Sequence, residues 1–229
     1  MKILGIDTTT KVLSIGAYDG VKIYEYNIEL GVKQATLLAP IIKRILDALK
    51  WKIEDVNYFA CGLGPGSFTG IRVGLATIKG FAWALDLPIA GVETLDLLAS
   101  NAKEESGIII PLVDAKRNMV YACIYQTSAN GLKKKSPYLL ITMDELIKKI
   151  KAAKYKAKLI FLGDAIPLYK EKLICELGEV SILDKDCWYP KGHNIIEQAL
   201  IKIKSKKISN TFNIEPIYLY PKECQIRKH

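Results

Sequence analysis

The sequence predicts an α/β protein whose two halves have the same order of elements. Each half opens with an apolar strand that ends in an aspartate: residues 3–6 precede Asp7, and residues 108–113 precede Asp114. In each half, three strands are followed by a helix, a strand, a helix and a strand, and this alternation implies parallel pairing of the later strands. The chain has 229 residues, of which 50% are hydrophobic, so two such units can each bury a core.

In the first half, turn signals and apolar periodicity set the element boundaries. Thr8-Thr9-Thr10 follows the first strand, and Tyr18-Asp19-Gly20 separates the second and third strands as a hairpin turn. Apolar residues at helical spacing from Leu37 to Leu49 predict the first helix. The predicted elements are strands 3–6, 12–17 and 21–26, helix 35–50, strand 58–63, helix 71–85, strand 89–92 and helix 94–102.

In the second half, the pattern starts again after a polar break. Asn130-Gly131 is a turn signal, and Thr142 with Glu145 forms a capping box that opens a basic helix. The repeated order is that of a duplicated ribonuclease-H-like domain, so we expect lobes 1–105 and 106–229 and a cleft that both aspartate turns face. We expect the tail after about 210 to pack back on the first lobe. The predicted elements are strands 108–113, 119–125 and 138–141, helix 142–154, strand 159–162, helix 166–177, strand 180–183 and helix 193–204.

The run Gly64-Pro65-Gly66-Ser67-Phe68-Thr69-Gly70 joins a strand to a helix in the first half. Glycine is favoured where the backbone needs a positive φ or approaches another group closely. Ser67 or Thr69 can cap the helix, and free N–H groups at its start would tolerate an anion. The run matches neither the P-loop nor the dinucleotide spacing. The chemistry alone favours a tight turn without a ligand over a phosphate site.

Composition restricts the chemistry that the chain can carry out. The five cysteines are scattered without a Cys-x-x-Cys pair, and the sequence has two histidines, His193 and His229. These counts argue against a disulfide framework, a zinc site and a histidine-dependent nucleophile. The first seven residues do not form a signal peptide, and no apolar run is long enough to span a bilayer. We therefore expect a cytoplasmic protein without membrane contact.

The net charge of +9 raises the question of a polyanionic partner. Lysines are densest at 133–135, 148–151 and 202–207, and such charge favours contact with nucleic acid or with acidic protein surfaces. The stacking aromatics of an RNA-binding domain do not accompany them. Solvated helix faces explain the lysines more simply, and binding to a polyanion stays an alternative.

Five segments of the chain together resemble the TsaB (YeaZ) family: residues 3–9, 64–74, 91–95, 113–121 and, more weakly, 215–219. The resemblance extends over essentially the whole chain. It implies the actin-like ATPase (ASKHA) fold, with two ribonuclease-H-like lobes. It also implies a non-catalytic accessory subunit of the bacterial complex that adds threonylcarbamoyl to the adenosine next to the anticodon in ANN-decoding tRNAs. The implied partners are the catalytic paralogue TsaD, the ATPase TsaE, a second copy of the chain, and tRNA through the complex.

The chain departs from catalytic members of this fold at the places where they bind ligands. Residues 33–40 contain no histidine, and Gln34-Ala35 stands where many TsaB members have His-Ser or His-Thr. Side-chain-bearing residues replace the glycine that usually follows each loop aspartate, and they would crowd a phosphate. We therefore expect no metal and no cofactor, with nucleotide possible only at the junction with TsaD. The candidate cleft and loop residues are Asp7, Thr8, Thr9, Gly64, Gly66, Ser67, Thr69, Gly70, Asp114 and Arg117.

Helices 35–50 and 71–85 are the candidate partner-binding elements, because each is apolar over more than one stripe. The resemblance implies that the same face serves the homodimer and the TsaD complex. Burial of the second helix on both sides is the alternative. One competing function is an enzyme, either an actin-fold phosphotransferase that uses Asp7 or Asp114 or a protease-like enzyme. The other is a direct tRNA-binding module, which the net charge of +9 would favour. The predicted interface residues are Leu37, Leu38, Ile41, Ile45, Ile71, Arg72, Leu75, Ala76, Lys79 and Trp83.

Overall fold

The computed structural model describes residues 1–129 and 131–221, apart from the side chain of Val32. The described chain forms two units: residues 1–97 with 190–217 make unit 1, and residues 98–189 with the tail from Tyr218 make unit 2. Asn130, Cys224 and His229, which entered the sequence arguments, lie outside the described residues. No helix of the described chain is both long and apolar enough to cross a membrane.

Unit 1 is built on a five-stranded sheet with the strand order β3-β2-β1-β4-β5. The first three strands are antiparallel, and β4 and β5 run parallel to β1. Strand β1 is buried along its whole length because both faces of the sheet are covered. The elements are β1 (Ile3–Asp7), β2 (Val12–Tyr18), β3 (Ile23–Glu29), α1 (Gln34–Ala48), β4 (Tyr58–Gly62), α2 (Phe68–Leu85), β5 (Ile89–Val92) and α3 (Thr94–Ser100).

The two faces of this sheet hold separate cores, as the two-residue period of a strand requires. Leu4 and Ile6 pack on one side with residues of α1 and α2, such as Leu38 and Ile78. Ile3 packs on the other side. The aspartate that ends β1 is therefore carried by a strand held from both sides.

The last helix, α6 (Gly192–Lys204), covers that second face and belongs to unit 1. Its buried residues Ile195 and Ile196 pack with Ile3, and the Gly192 N–H donates to Asn27 Oδ1 of β3 at 3.1 Å. The sequence assigned this helix to the C-terminal lobe, and it set the boundary at 105/106 instead of 97/98. The apolar face of an amphipathic helix fits either sheet, so sequence order alone assigned it to the wrong one.

Unit 2 repeats the topology of unit 1, with the strand order β10-β7-β6-β11-β12. Helices α4 and α5 cover one face through buried residues such as Leu146 and Leu173. With β8 and β9 set aside, the strands of each unit lie in the order third, second, first, fourth, fifth across the sheet. This shared order confirms the predicted duplicated, ribonuclease-H-like α/β fold. The elements are β6 (Ile108–Lys116), β7 (Met119–Ala122), β8 (Tyr125–Ser128), β9 (Gly131–Lys134), β10 (Leu139–Thr142), α4 (Met143–Ala153), β11 (Leu159–Leu162), α5 (Ile166–Leu177) and β12 (Ser181–Ile182).

One strand of the second half was predicted wrongly. The expected strand 119–125 is divided into β7 and β8, and β8 pairs with the beginning of β6 and with β9. The apolar run continues from β7 to Tyr125, the first residue of β8, without a break, so it gave no sign of the change of partner. The capping box at Thr142 and Glu145 is present, and it starts α4 as predicted.

Candidate functional site

The aspartate at the end of β1 is enclosed by the chain itself. Asp7 is 0% exposed. Its Oδ1 accepts hydrogen bonds from the Thr9 N–H at 2.8 Å and the Thr9 hydroxyl at 2.7 Å. Its Oδ2 accepts a hydrogen bond from the Thr94 hydroxyl at 3.2 Å, and the two threonine hydroxyl oxygens lie 3.0 Å apart. Both carboxylate oxygens therefore have protein partners.

Burial dominates the ionisation of this carboxyl group. Removal from water raises the pKa of Asp7 above its ordinary value of 3.8, and the hydrogen bonds from Thr9 and Thr94 offset only part of this effect. A carboxylate that binds a metal or activates a nucleophile needs an accessible oxygen. In this geometry Asp7 ties the end of β1 to the start of α3.

The turn after Asp7 fills the glycine loop. Thr8 donates its hydroxyl hydrogen to Gly70 O at 2.7 Å, and the Ser67 N–H donates to Thr9 O at 2.7 Å. A Cβ at Gly66, Gly70 or Gly74 would lie closer than 3.0 Å to an atom of Thr8 or Thr9. The glycines thus make room for the Thr8-Thr9 turn against the start of α2. This packing is the tight turn that the sequence favoured for the loop.

The two remaining polar residues of the loop have different roles. Ser67 caps α2 by accepting a hydrogen bond from the Gly70 N–H at 3.2 Å, so the helix begins at Phe68, three residues before the predicted start. Thr69 is exposed within the first turn and is not the cap. Gly64 has a φ of 94°, and its carbonyl accepts from the Thr94 N–H at 2.8 Å. The loop is therefore held at both ends.

The aspartate of unit 2 lies in a different environment. Asp114 is partly exposed; its carboxylate accepts from the Lys116 N–H at 2.8 Å and forms an ion pair with the Lys116 ammonium group. The Asp114 N–H donates to Asp164 Oδ1 at 2.9 Å. Arg117 is exposed in a turn with a φ of 52°, and its guanidinium carbon lies 5.8 Å from the centre of the Tyr220 ring. That the Asp7 and Asp114 turns face one cleft stays a prediction.

The start of α1 holds a buried glutamine. Gln34 is 5% exposed, and its Nε2 donates to Thr10 O at 2.7 Å. Its Oε1 is buried without a hydrogen-bond partner. Within residues 1–129 and 131–221, no group of three or more His, Cys, Asp or Glu side chains is arranged to hold a metal ion. The hydrogen bond from Gln34 to Thr10 holds the start of α1 against the β1–β2 turn.

Sequence reasoning did not identify Thr94 as a member of the site. Its hydroxyl completes the contacts of Asp7, and its N–H holds Gly64. The available signal was its place directly after a strand parallel to β1, because the carboxyl ends of parallel strands lie at the same edge of a sheet.

Four of the predicted interface residues are core residues of unit 1. Leu38, Ile45, Ile71 and Leu75 are between 1% and 7% exposed, so they are not available to a partner. The two helices are broadly apolar because they pack on the sheet and on each other. Leu37, Ile41 and Lys79 are half-buried, whereas Arg72, Ala76 and Trp83 are exposed.

Four of the six exposed positions of α2 and the half-buried Lys79 form a single stripe, which we call the outer face of α2: Arg72, Ala76, Lys79, Gly80 and Trp83. Their spacing of three and four residues places them on one side of the helix. Trp83 is 71% exposed, and a Cβ added at Gly80 would have nothing within 4 Å. The Arg72 guanidinium carbon lies 3.7 Å from the centre of the Phe68 ring. This stripe combines small, aromatic and basic side chains.

The duplicated sheets define an actin-like α/β protein in which the Thr8-Thr9 turn of unit 1 packs against the glycine loop. The family model for TsaD, tRNA N6-adenosine threonylcarbamoyltransferase, matches residues 33–210. The chain is 28% identical to the tRNA threonylcarbamoyladenosine biosynthesis protein TsaB of Bacillus subtilis, over 99% of this chain and 97% of that protein. It is 32% identical to TsaB of Buchnera aphidicola subsp. Schizaphis graminum, over 85% of this chain and 90% of that protein.

The solved structures agree with this assignment at the level of the fold. YeaZ from Pseudomonas aeruginosa superposes with a TM-score of 0.83 at 22% identity, over 95% of this chain and 99% of that chain. The chain belongs to the TsaB family, within the wider family that the TsaD model describes. The resemblance inferred from the sequence is confirmed.

Proposed function

We propose that the chain is a non-catalytic accessory subunit that binds and supports TsaD in the complex that adds threonylcarbamoyl to the adenosine next to the anticodon in ANN-decoding tRNAs. Family membership supports the pathway, since the relatives are named for tRNA threonylcarbamoyladenosine biosynthesis. The enclosed Asp7 carboxyl group is the observation that supports a role without catalysis. TsaE and tRNA are further partners that this subunit would meet within the complex.

The loops of unit 1 favour a supporting role over an enzymatic one. Phosphoryl transfer requires backbone N–H groups and a carboxylate that face the phosphates and a metal ion. Here Thr8 and Thr9 lie against the glycine loop, and the Asp7 carboxyl group accepts hydrogen bonds from Thr9 and Thr94. The proposed subunit accordingly needs no cofactor of its own, and any nucleotide would bind at its junction with TsaD.

The outer face of α2 is the surface that we assign to TsaD. Ala76 and Gly80 would allow a partner helix to approach closely, and Trp83 provides a large aromatic surface next to them. Aromatic residues at the centre of an interface carry much of its binding energy. A second copy of the chain would use the same face, so we expect a homodimer that TsaD displaces.

A Trp83→Ala variant tests this assignment. Loss of a central tryptophan typically weakens binding by about 2 kcal/mol or more, which is roughly a 30-fold rise in the dissociation constant for TsaD. Phe212→Ala is the matched control, because Phe212 is a 79% exposed aromatic residue of the same unit outside α2. Sedimentation velocity would measure the homodimer, and a titration with TsaD would measure the heterodimer. Equal, small effects of the two substitutions would contradict the assignment.

The absence of catalysis is tested separately with ATP and magnesium. We expect calorimetry on the isolated chain to give no binding tighter than the millimolar range, about 4 kcal/mol. Micromolar binding, or ATP turnover by the chain without TsaD, would favour the phosphotransferase alternative. Nucleotide bound only after TsaD is added would agree with the proposed role.

A further inference from the structure

Unit 2 has a concentrated positive charge that the proposed function does not use. Residues 133–158 contain nine lysines and two acidic residues, and all nine lysines are exposed. We infer that Lys133, Lys154 and Lys156 form a surface that contacts the phosphate backbone of RNA, which we call the basic end of unit 2. This inference rests on the proposed function, because it is the tRNA pathway that makes RNA the relevant polyanion.

Several of the nine lysines have acidic neighbours that neutralise them. Lys151 pairs with Glu176 at 2.7 Å, and Lys158 lies 3.8 Å from Glu105. On α4, Asp144 and Glu145 each lie four residues before a lysine, a spacing at which opposite charges attract. In the part of the chain that the structure describes, the three lysines of the basic end form no ion pair.

The sheet brings these three lysines to one end of unit 2. Lys133 is opposite Gln126 of β8, Gln126 is opposite Ile108 of β6, and Ile108 is opposite Leu159 of β11. Three strand spacings separate Lys133 from Leu159, about 14 Å. Lys154 ends α4, and the turn that holds Lys156 leads into β11.

The side chains near the basic end favour phosphates over bases and over a lipid surface. Tyr125 is buried, and Tyr155 packs against the core of unit 2, so neither ring is offered for base stacking. None of the exposed large apolar residues of the described chain lies between 103 and 158, and membrane-surface binding needs such residues for insertion. Contacts to phosphates alone position RNA without reading its sequence.

The test compares two triple variants of the full chain with equal charge. Lys133→Gln, Lys154→Gln and Lys156→Gln remove the basic end; Lys204→Gln, Lys206→Gln and Lys207→Gln remove three exposed lysines of unit 1 as the control. Fluorescence anisotropy would follow binding of an unmodified tRNA transcript and of a scrambled RNA of the same length from 50 to 200 mM KCl. The slope of log K against log salt is negative, and each lost phosphate contact reduces its magnitude by about 0.7–0.9. For the basic-end variant, the magnitude of the slope should therefore fall by about two to three units.

We expect a less steep salt dependence for the basic-end variant and a change of slope of less than about one unit for the control variant. Each protein should give the same slope with the tRNA transcript and with the scrambled RNA. Binding of the same variants to phosphatidylserine vesicles is measured alongside. Equal changes of the RNA slope in both variants, no RNA binding by the wild-type chain at 50 mM KCl, or an effect of the basic-end substitutions on vesicle binding alone would overturn the inference. The same variants are titrated with TsaD. If the basic-end variant binds TsaD normally and its RNA slope is unchanged, only the inference about the basic end is refuted. If the wild-type chain does not bind TsaD, the proposed function is refuted.

Discussion

The packing of Thr8 against α2 leads to a stability prediction for Gly74→Ala. Gly74 lies inside α2, where alanine is normally better than glycine by about 1 kcal/mol. An added Cβ would lie closer than 3.0 Å to Thr8 Oγ1, a separation that real Cβ atoms essentially never show. The threonine hydroxyl must therefore move, although its position is held by the hydrogen bond to Gly70 O.

The magnitude follows from three contributions. Loss of the hydrogen bond from Thr8 to Gly70 costs about 0.5–1.5 kcal/mol, and overpacking of a buried contact costs about 1–3 kcal/mol. The helical preference for alanine offsets about 1 kcal/mol of this. We expect Gly74→Ala to lower the free energy of unfolding by about 1–3 kcal/mol, measured by urea denaturation with circular dichroism.

Two controls isolate the contact with Thr8. Gly80→Ala in the same helix has open space around the new Cβ, and it should stabilise the protein by about 1 kcal/mol. In a Thr8→Ala background the clashing oxygen is absent, so Gly74→Ala should become neutral or stabilising, with a coupling energy of at least about 1 kcal/mol between the two sites. If Gly74→Ala and Gly80→Ala stabilise the wild-type chain equally, the loop is not filled by Thr8 and the argument against a phosphate site fails.

Three further substitutions test the buried carboxyl group and the corrected interface. The folded-state pKa of Asp7 is raised above 3.8, so the stability of wild type relative to Asp7→Asn should be highest below that pH and fall as the pH rises towards the folded-state value. Urea midpoints between pH 4 and 8 measure this difference, and a relative stability that rises with pH would contradict it. Leu38→Asp should lower the free energy of unfolding by about 3–5 kcal/mol and unfold the chain, whereas Ala76→Arg on the outer face should change the stability of the monomer by less than about 0.5 kcal/mol. Thermal melts of the Leu38→Asp and Ala76→Arg variants measure this difference. A well-folded Leu38→Asp protein would mean that Leu38 is a surface residue that a partner can contact.

The sequence by itself determined the class of fold, the order of elements in the first half and the family. Periodicity, turn residues and the capping box at Thr142 act over a few neighbouring residues, so they can be recognised without the fold. The two aspartates that end the opening strands marked the duplication for the same reason. The segments that resemble TsaB proteins were also continuous stretches of chain.

The tertiary structure alone decided which surfaces meet. It placed α6 on the sheet of unit 1, divided the strand predicted at 119–125, and buried Leu38 and Leu75 while leaving Trp83 exposed. It also packed the glycine loop against Thr8, more than fifty residues away in sequence. An apolar helix face fits more than one sheet, and a glycine makes room for a ligand as readily as for a threonine. Contacts between distant residues select among these possibilities, and local sequence patterns carry no information about them.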